Sequence, residues 1–228
     1  MDFGKAFSFV FDDEEWIQKI LVGGLISLIP VVGQFVVVGW GFEVTKRVIE
    51  GSPEPLPDWS EFGEYLVNGF LVAVVGFVYS LPLILISGCS FSVFPFLGNG
   101  NEDAVAAFVS IVAVCISCFS GLYGILLGLV LPAAVGNYAA EGEFGAAFRF
   151  GKVFKLVRNN VGPYVIVLLG SLISGLVASL GTIACVIGVL FTSAYALLVN
   201  GHLTGQAYLK AGSPAAAVEE GEVPEEDL

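Results

Sequence analysis

Charge is what this sequence has least of. Only 13% of its 228 residues are charged, against the roughly 25% typical of soluble domains. No Lys or Arg occurs between Arg47 and Arg149, and residues 20–42, 65–101, 104–140 and 159–201 carry no Asp, Glu, Lys or Arg. A soluble fold of this size covers itself with ionised groups, and this chain has too few to do so. An ionised side chain at the centre of a bilayer costs roughly 2.5–3.5 kcal/mol, so charge-free runs are what a membrane selects. About 20 apolar residues cross its hydrocarbon core. With 56% apolar residues and a mean hydropathy of +0.87, the chain reads as an all-α, polytopic transmembrane bundle.

Other absences narrow the chemistry. His202 is the one histidine, and a metal centre usually needs several His, Cys or carboxylate ligands close together. A polar residue at the membrane surface is the role expected of it. No basic stripe marks a nucleic-acid surface. There is no P-loop, no H-E-x-x-H and no plausible Ser–His pair. Acids and bases at mid-membrane depth mark proton and ion pathways, and none falls there in any expected helix. Cys115-Ile-Ser-Cys118 spells C-x-x-C, but it lies inside an apolar run without a basic neighbour to activate it, so it reads as two small apolar residues. Cys89 and Cys185 both fall toward the expected outer side, where a disulfide is chemically allowed; their pairing stays open. The expectation is a protein that is not an enzyme, with no catalytic residue, no cofactor and no metal.

What is present starts with acid. Nine Lys and Arg stand against 21 Asp and Glu, a formal net charge of −12. Acid-rich, Lys-poor chains are typical of salt-loving archaea. Much of the excess lies between Glu219 and Asp227, in a stretch without aromatics. Residues 211–228 are therefore expected to be a disordered cytoplasmic tail, and residues 1–210 one membrane domain. The opening MDFGKAFSFVFDDEEW lacks the basic start and apolar run of a signal peptide, so the first membrane segment should remain as an anchor.

An acid-Phe-Gly motif recurs at Asp2-Phe3-Gly4, Glu61-Phe62-Gly63 and Glu143-Phe144-Gly145. The first and third extend to DFGKAFSF (2–9) and EFGAAFRF (143–150). Each precedes a long apolar region, which suggests three units, each a short amphipathic helix followed by a pair of crossings. At 100° per residue, Phe3, Phe7 and Val10 share a face opposite Lys5, Ser8 and Asp12. Trp59, Phe62 and Leu66 do so opposite Glu61 and Glu64. Such helices lie in the headgroup plane. The third, 143–158, carries Arg149, Lys152, Lys155 and Arg158, cations suited to anionic headgroups. The candidate lipid or interface contacts are thus Phe3, Phe7, Trp16, Trp59, Phe62, Arg149, Lys152, Lys155 and Arg158. The alternative is ordinary helix ends packed on the protein.

The crossings are expected at about 16–30, 32–50, 66–87, 105–131, 161–180 and 185–205. The first pair is the ambiguous one. Pro30 and Gly33 favour a break, but residues 17–29 span only about 20 Å, short of a ~30 Å core. Charge favours six crossings as three hairpins, because that arrangement gathers all nine Lys and Arg on one side. The positive-inside rule makes that side cytoplasmic, with both termini there and the 88–104 loop outside, in a cell membrane. The first hairpin is then shallow or re-entrant. Small residues at Gly121, Gly124 and Gly128, and at Gly170, Ser174 and Ala178, favour close helix packing inside the bundle, or a dimer interface. Glu43 precedes Lys46 and Arg47 by three and four residues, the spacing of a helical ion pair.

Five segments carry a resemblance: Trp16-Ile17-Gln18-Lys19, GGLISLIPVVG (23–33), KRVIEG (46–51), LPDWSEFGEYLVNG (56–69) and LPAAVGNYAAEGEFGAAFRFGKVF (131–154). Together they resemble the DUF4013 family over about 1–208. That resemblance implies an archaeal or bacterial integral membrane protein of unknown function, and no catalytic residues. The functional expectation is a non-enzymatic protein that organises the membrane or binds lipids or a partner at its cytoplasmic face. A transporter or channel for a neutral or lipid-like substrate is the alternative.

Overall fold

The computed structural model describes residues 1–54, 56–93 and 102–212, apart from the side chains of 89–93, 102–104 and 184–187. The tail from residue 213, the loop 94–101 and any Cys89–Cys185 bond lie outside them. Among the described residues every regular element is helical: α1 (Phe3–Ser8), α2 (Trp16–Ile26), α3 (Val32–Glu50), α4 (Phe62–Val93), α5 (Glu102–Glu141), α6 (Phe150–Asn159), α7 (Val161–Leu180) and α8 (Cys185–Gly212). Short 3₁₀ turns fill Phe9–Asp12, Phe144–Phe148 and Gly181–Ala184.

The chain breaks between α2 and α3, around Pro30. Ser27 closes α2 by donating its hydroxyl to Gly23 O at 2.9 Å. Val31 takes a left-handed φ of 65°, which a β-branched residue adopts only under constraint. The constraint is contact: a Cβ on Gly33 would stand 1.9 Å from Ile26 O. At 11 residues, α2 is about 16 Å long, half the hydrocarbon thickness. Lys19, near its start, donates to Leu56 O at 3.4 Å, in the connection from α3 to α4. The start of α2 and the connection leaving α3 therefore meet.

Among the described residues three segments are long and apolar enough to cross a membrane: Phe62–Gly88, Val105–Glu141 and Val161–Ile183. They bury little, with 17%, 0% and 22% of their most apolar windows inside the protein. α3 and α8 form the interior instead. In α3 the run from Gly39 to Thr45 is wholly buried, and α8 buries Leu198, Val199 and the run 201–205. Glycine allows the contact. A Cβ on Gly39 would stand 1.8 Å from Tyr65 O of α4, and one on Gly201 would stand 2.2 Å from Gly41 O. Backbones that close gain dispersion and polar contacts without a wide apolar surface. Interior helices can then carry Glu43, Thr45, His202 and Thr204, all buried. Pro82 and Pro132 sit inside α4 and α5 without ending them.

The second amphipathic helix expected from the sequence is not a separate element. Residues 58–61 form a turn and Phe62 begins α4. Trp59 stacks on Trp40 with ring centroids 4.4 Å apart and donates its indole N–H to Lys19 O at 3.0 Å. The small faces also part company. Gly170 meets Leu203 of α8, and Ser174 accepts from Asn200 at 3.0 Å, so that face packs inside. A Cβ on Gly121 or Gly124 would meet nothing within 4 Å. Internal packing, expected along this α5 stripe, holds only at Gly128, against Leu168.

Candidate membrane-surface site

The segment 143–159 begins with an acid-Phe-Gly turn and ends as α6. Ala146 and Ala147 are fully buried, and the Tyr79 hydroxyl donates to Ala147 O at 2.7 Å. Asn137 donates its side-chain amide to Ala146 O at 2.8 Å. These two bonds fix the turn to α4 and α5. From there α6 lies with Val153 and Val157 against the body, and Leu156 partly covered. Those three residues occupy one flank of its apolar arc. Phe150 and Phe154 occupy the other, each 55% exposed. The arc is thus wider than the surface that covers it: Phe150 meets Tyr79 with ring centroids 5.4 Å apart, and both Phe150 and Phe154 still overhang by more than half their surface.

Cations border the overhang. Arg149 pairs with Glu141 at 2.5 Å and with Glu143 at 3.1 Å, and Lys152 pairs with Glu141 at 2.6 Å. Lys155 and Arg158 are exposed and have no acidic partner among the described residues. Two aromatics beside two unpaired cations is the arrangement of a helix at a headgroup boundary, where rings enter the acyl region and cations meet phosphate. Sequence alone did not assign Glu141 its part in holding Arg149 and Lys152.

The other candidates distribute differently. Phe3 (37% exposed) and Phe62 (39% exposed) reach the surface. Phe7 is half-buried, and its backbone carbonyl accepts from the Tyr195 hydroxyl at 2.7 Å. Trp16 is half-buried with Phe11 edge-on at 4.9 Å, and Trp59 lies against the interior as described. The N-terminal segment therefore packs along α8, with Asp2 bonded to Gln206 and Phe9 stacked on His202 at 4.4 Å. His202, expected at the surface, is only 6% exposed. Glu43 makes the pair its spacing suggested: Arg47 Nε at 3.3 Å and Lys46 Nζ at 3.7 Å, with Lys46 also reaching Glu64 at 3.7 Å. Cys115 and Cys118 are free and exposed on α5. Among the described residues no group of three or more His, Cys, Asp or Glu is placed to hold a metal.

The profile of a family described as protein of unknown function (DUF4013) matches residues 22–187. The chain belongs to the DUF4013 family. The match spans α3, α4, α5, α6 and α7, and so includes the whole of the α6 site. A protein of Methanocaldococcus jannaschii described as uncharacterised is 26% identical over 169 residues, which cover 69% of this chain and 52% of the relative. This DUF4013 chain thus spans about half the length of that relative. No solved structure matches it.

Proposed function

We propose that this DUF4013 protein is an integral protein of the cell membrane that binds anionic lipid headgroups at its cytoplasmic face and catalyses no reaction. The observation that carries the reading is α6: Phe150 and Phe154 are more than half exposed next to Lys155 and Arg158, which have no acidic partner among the described residues. An apolar ring exposed beside a cation is unfavourable in water and favourable at a headgroup boundary. In the proposed topology α4–α5 and α7–α8 are full hairpins and α2–α3 a shallow one. That makes six membrane-inserted helices, with the nine Lys and Arg on the cytoplasmic side and both termini there. Support comes from the low burial of the three apolar helices, whose outer faces need an apolar solvent, and from the meeting of the start of α2 with the connection leaving α3.

The test is reconstitution into nanodiscs of neutral lipid containing a minor fraction of anionic phospholipid. Native mass spectrometry should find anionic lipid retained on the protein. The double variant Lys155→Gln/Arg158→Gln should lose it while keeping neutral lipid. Equal retention by parent and variant ends this reading.

One observation favours a second reading, passage of a neutral or lipid-like substrate. A groove of about 250 Å³ opens between α3, α4, α5, α7 and α8. It is lined mainly by apolar side chains, with Thr45, Ser171, Asn200 and Thr204 as its polar wall. Asn200 accepts from Ser171 at 2.6 Å and donates to Ser174 at 3.0 Å, which ties α8 to α7 along this wall. Flux of a fluorescent lipid across reconstituted vesicles tests it; a rate equal to that of protein-free vesicles rules it out.

A further inference from the structure

A cleft of about 540 Å³ lies between the N-terminal segment, the end of α3 with the loop after it, and α8, and no residue of α6 lines it. Its size is within the roughly 300–1,000 Å³ of small-molecule sites. Lys5, Phe9, Asp12, Glu54, His202 and Gln206 form much of its wall.

The hydrogen bonds define the protonation of His202. The Asp2 backbone N–H donates to Gln206 Oε1 at 2.8 Å, and Gln206 Nε2 donates to Asp2 O at 3.1 Å. A peptide N–H only donates and a peptide carbonyl only accepts, so this pincer leaves one orientation for the Gln206 amide. The same Nε2 stands 3.1 Å from His202 Nδ1. As a donor it requires Nδ1 to be the acceptor, which puts the imidazole proton on Nε2. Phe9 covers the ring at 4.4 Å. The Nε2–H has no partner among the described residues, and it belongs to a residue of the cleft wall that is only 6% exposed. A donor held in one tautomer at the wall of a cleft is a hydrogen-bonding position for an oxygen acceptor.

The rest of the wall is negative. Among the described residues Lys5 is its one cation, against Asp12, Asp13 and Glu54. Lys19 neutralises Asp13 from behind at 2.6 Å, with both side chains largely buried. Asp12 pairs with Lys5 at 2.6 Å, but each is more than half exposed, so this pair opens at little cost. The Glu54 carboxylate is exposed and has no partner among the described residues; only its backbone is engaged, by Arg47 and Ser52. The C-terminal end of α3, whose cap Gly51 is part of the wall, adds its partial negative charge.

We propose that this cleft binds a small amine that also carries an oxygen acceptor, of the amino-acid type. The ammonium meets Glu54 and Asp12, and the oxygen accepts from His202 Nε2–H and Lys5. The site does not depend on lipid binding at α6.

Because His202 is the only histidine, its ring ¹⁵N signals in the detergent-solubilised full chain need no assignment variants. The probes are L-arginine, putrescine (a cation without an oxygen acceptor), and acetate and inorganic phosphate (acceptors without a cation). L-Arginine should shift the Nε2 signal saturably, putrescine should bind severalfold more weakly, and acetate and phosphate should give no saturable shift. Glu54→Gln removes an exposed, unpartnered charge, so the fold should persist while arginine affinity falls roughly fivefold. Added salt should weaken binding in parent more than in variant. Saturable binding of acetate or phosphate, putrescine binding as tight as arginine, a Glu54→Gln affinity equal to the parent's, or no saturable shift with any probe each overturns the proposal.

Discussion

Residues 2–9 and 143–150, DFGKAFSF and EFGAAFRF, are similar peptides placed in two parts of the molecule. Each pairs two aromatic rings four residues apart, Phe3 with Phe7 and Phe144 with Phe148, both at 5.1 Å between centroids. Each buries an alanine completely, Ala6 and Ala147. Each offers a backbone carbonyl to a tyrosine hydroxyl from a long helix at 2.7 Å: Phe7 O to Tyr195 and Ala147 O to Tyr79. They diverge at the end. Phe9 turns inward onto His202 and is followed by acids from Asp12 to Glu15, whereas Phe150 is 55% exposed and opens the basic helix α6. The phenylalanine pair and the alanine dock the segment, and the last phenylalanine with the residues after it sets what the segment presents. One copy closes the side of a cleft; the other faces outward with rings and cations.

The strongest way to break this comparison is at the two alanines. Ala6→Leu and Ala147→Leu each force a branched side chain into a site with no exposed surface, at a cost of about 1–3 kcal/mol. Thermal unfolding of the detergent-solubilised protein should show similar losses for both. A loss at one position alone makes the two segments different devices that merely share letters.

The tyrosines come next. Tyr79→Phe strands a carbonyl in the interior, where Tyr79 itself is only 7% exposed, and should cost about 1–2 kcal/mol. Tyr195 is half-buried, so water can replace its hydroxyl in part, and Tyr195→Phe should cost about 1 kcal/mol or less. The order, read from the same unfolding midpoints, sharpens the comparison. The reverse order moves the tighter docking to the N-terminal segment.

Much of this was legible in the sequence. The uncharged runs announced the apolar helices, Pro30 and Gly33 bracketed the break between α2 and α3, and Glu43 found Lys46 and Arg47 at the spacing that predicts it. The repeat was visible as letters, and the Tyr79 and Tyr195 bonds give it a physical meaning. What the sequence hid has one cause. In a chain whose long helices are apolar enough to cross a membrane, apolar residues face outward as well as inward, so a helical wheel tells which residues share a face but not what covers it. Trp59 could equally lie in the headgroups or on Trp40, and Gly121 could equally pack on a neighbour or stand open. His202 misled for the complementary reason. α8 is interior along the stretch that holds it, and only the fold of the N-terminal segment over α8 brings Phe9 and Gln206 to the ring. Among the described residues the helices long and apolar enough to span a membrane are little buried, while α3 and α8, whose neighbours shield their polar groups, form the interior.

The smallest expected effects belong to the residues that present rather than dock. Lys152→Gln removes one of two partners of Glu141, in a pair whose side chains are 44% and 22% exposed, while Arg149 remains. Its unfolding midpoint should stay close to the parent's, because an exposed ion pair is screened by solvent. Arg158→Gln touches no acid among the described residues and should stay within about 0.5 kcal/mol of the parent. That insensitivity is what the comparison demands. If the basic half of α6 only faces outward, its charges can change without loosening the Ala147 dock, and the unfolding midpoint should not follow them. A drop of several degrees for Arg158→Gln means the cation is tied into the body, and the division between docking and presenting residues then fails at the segment where it matters most.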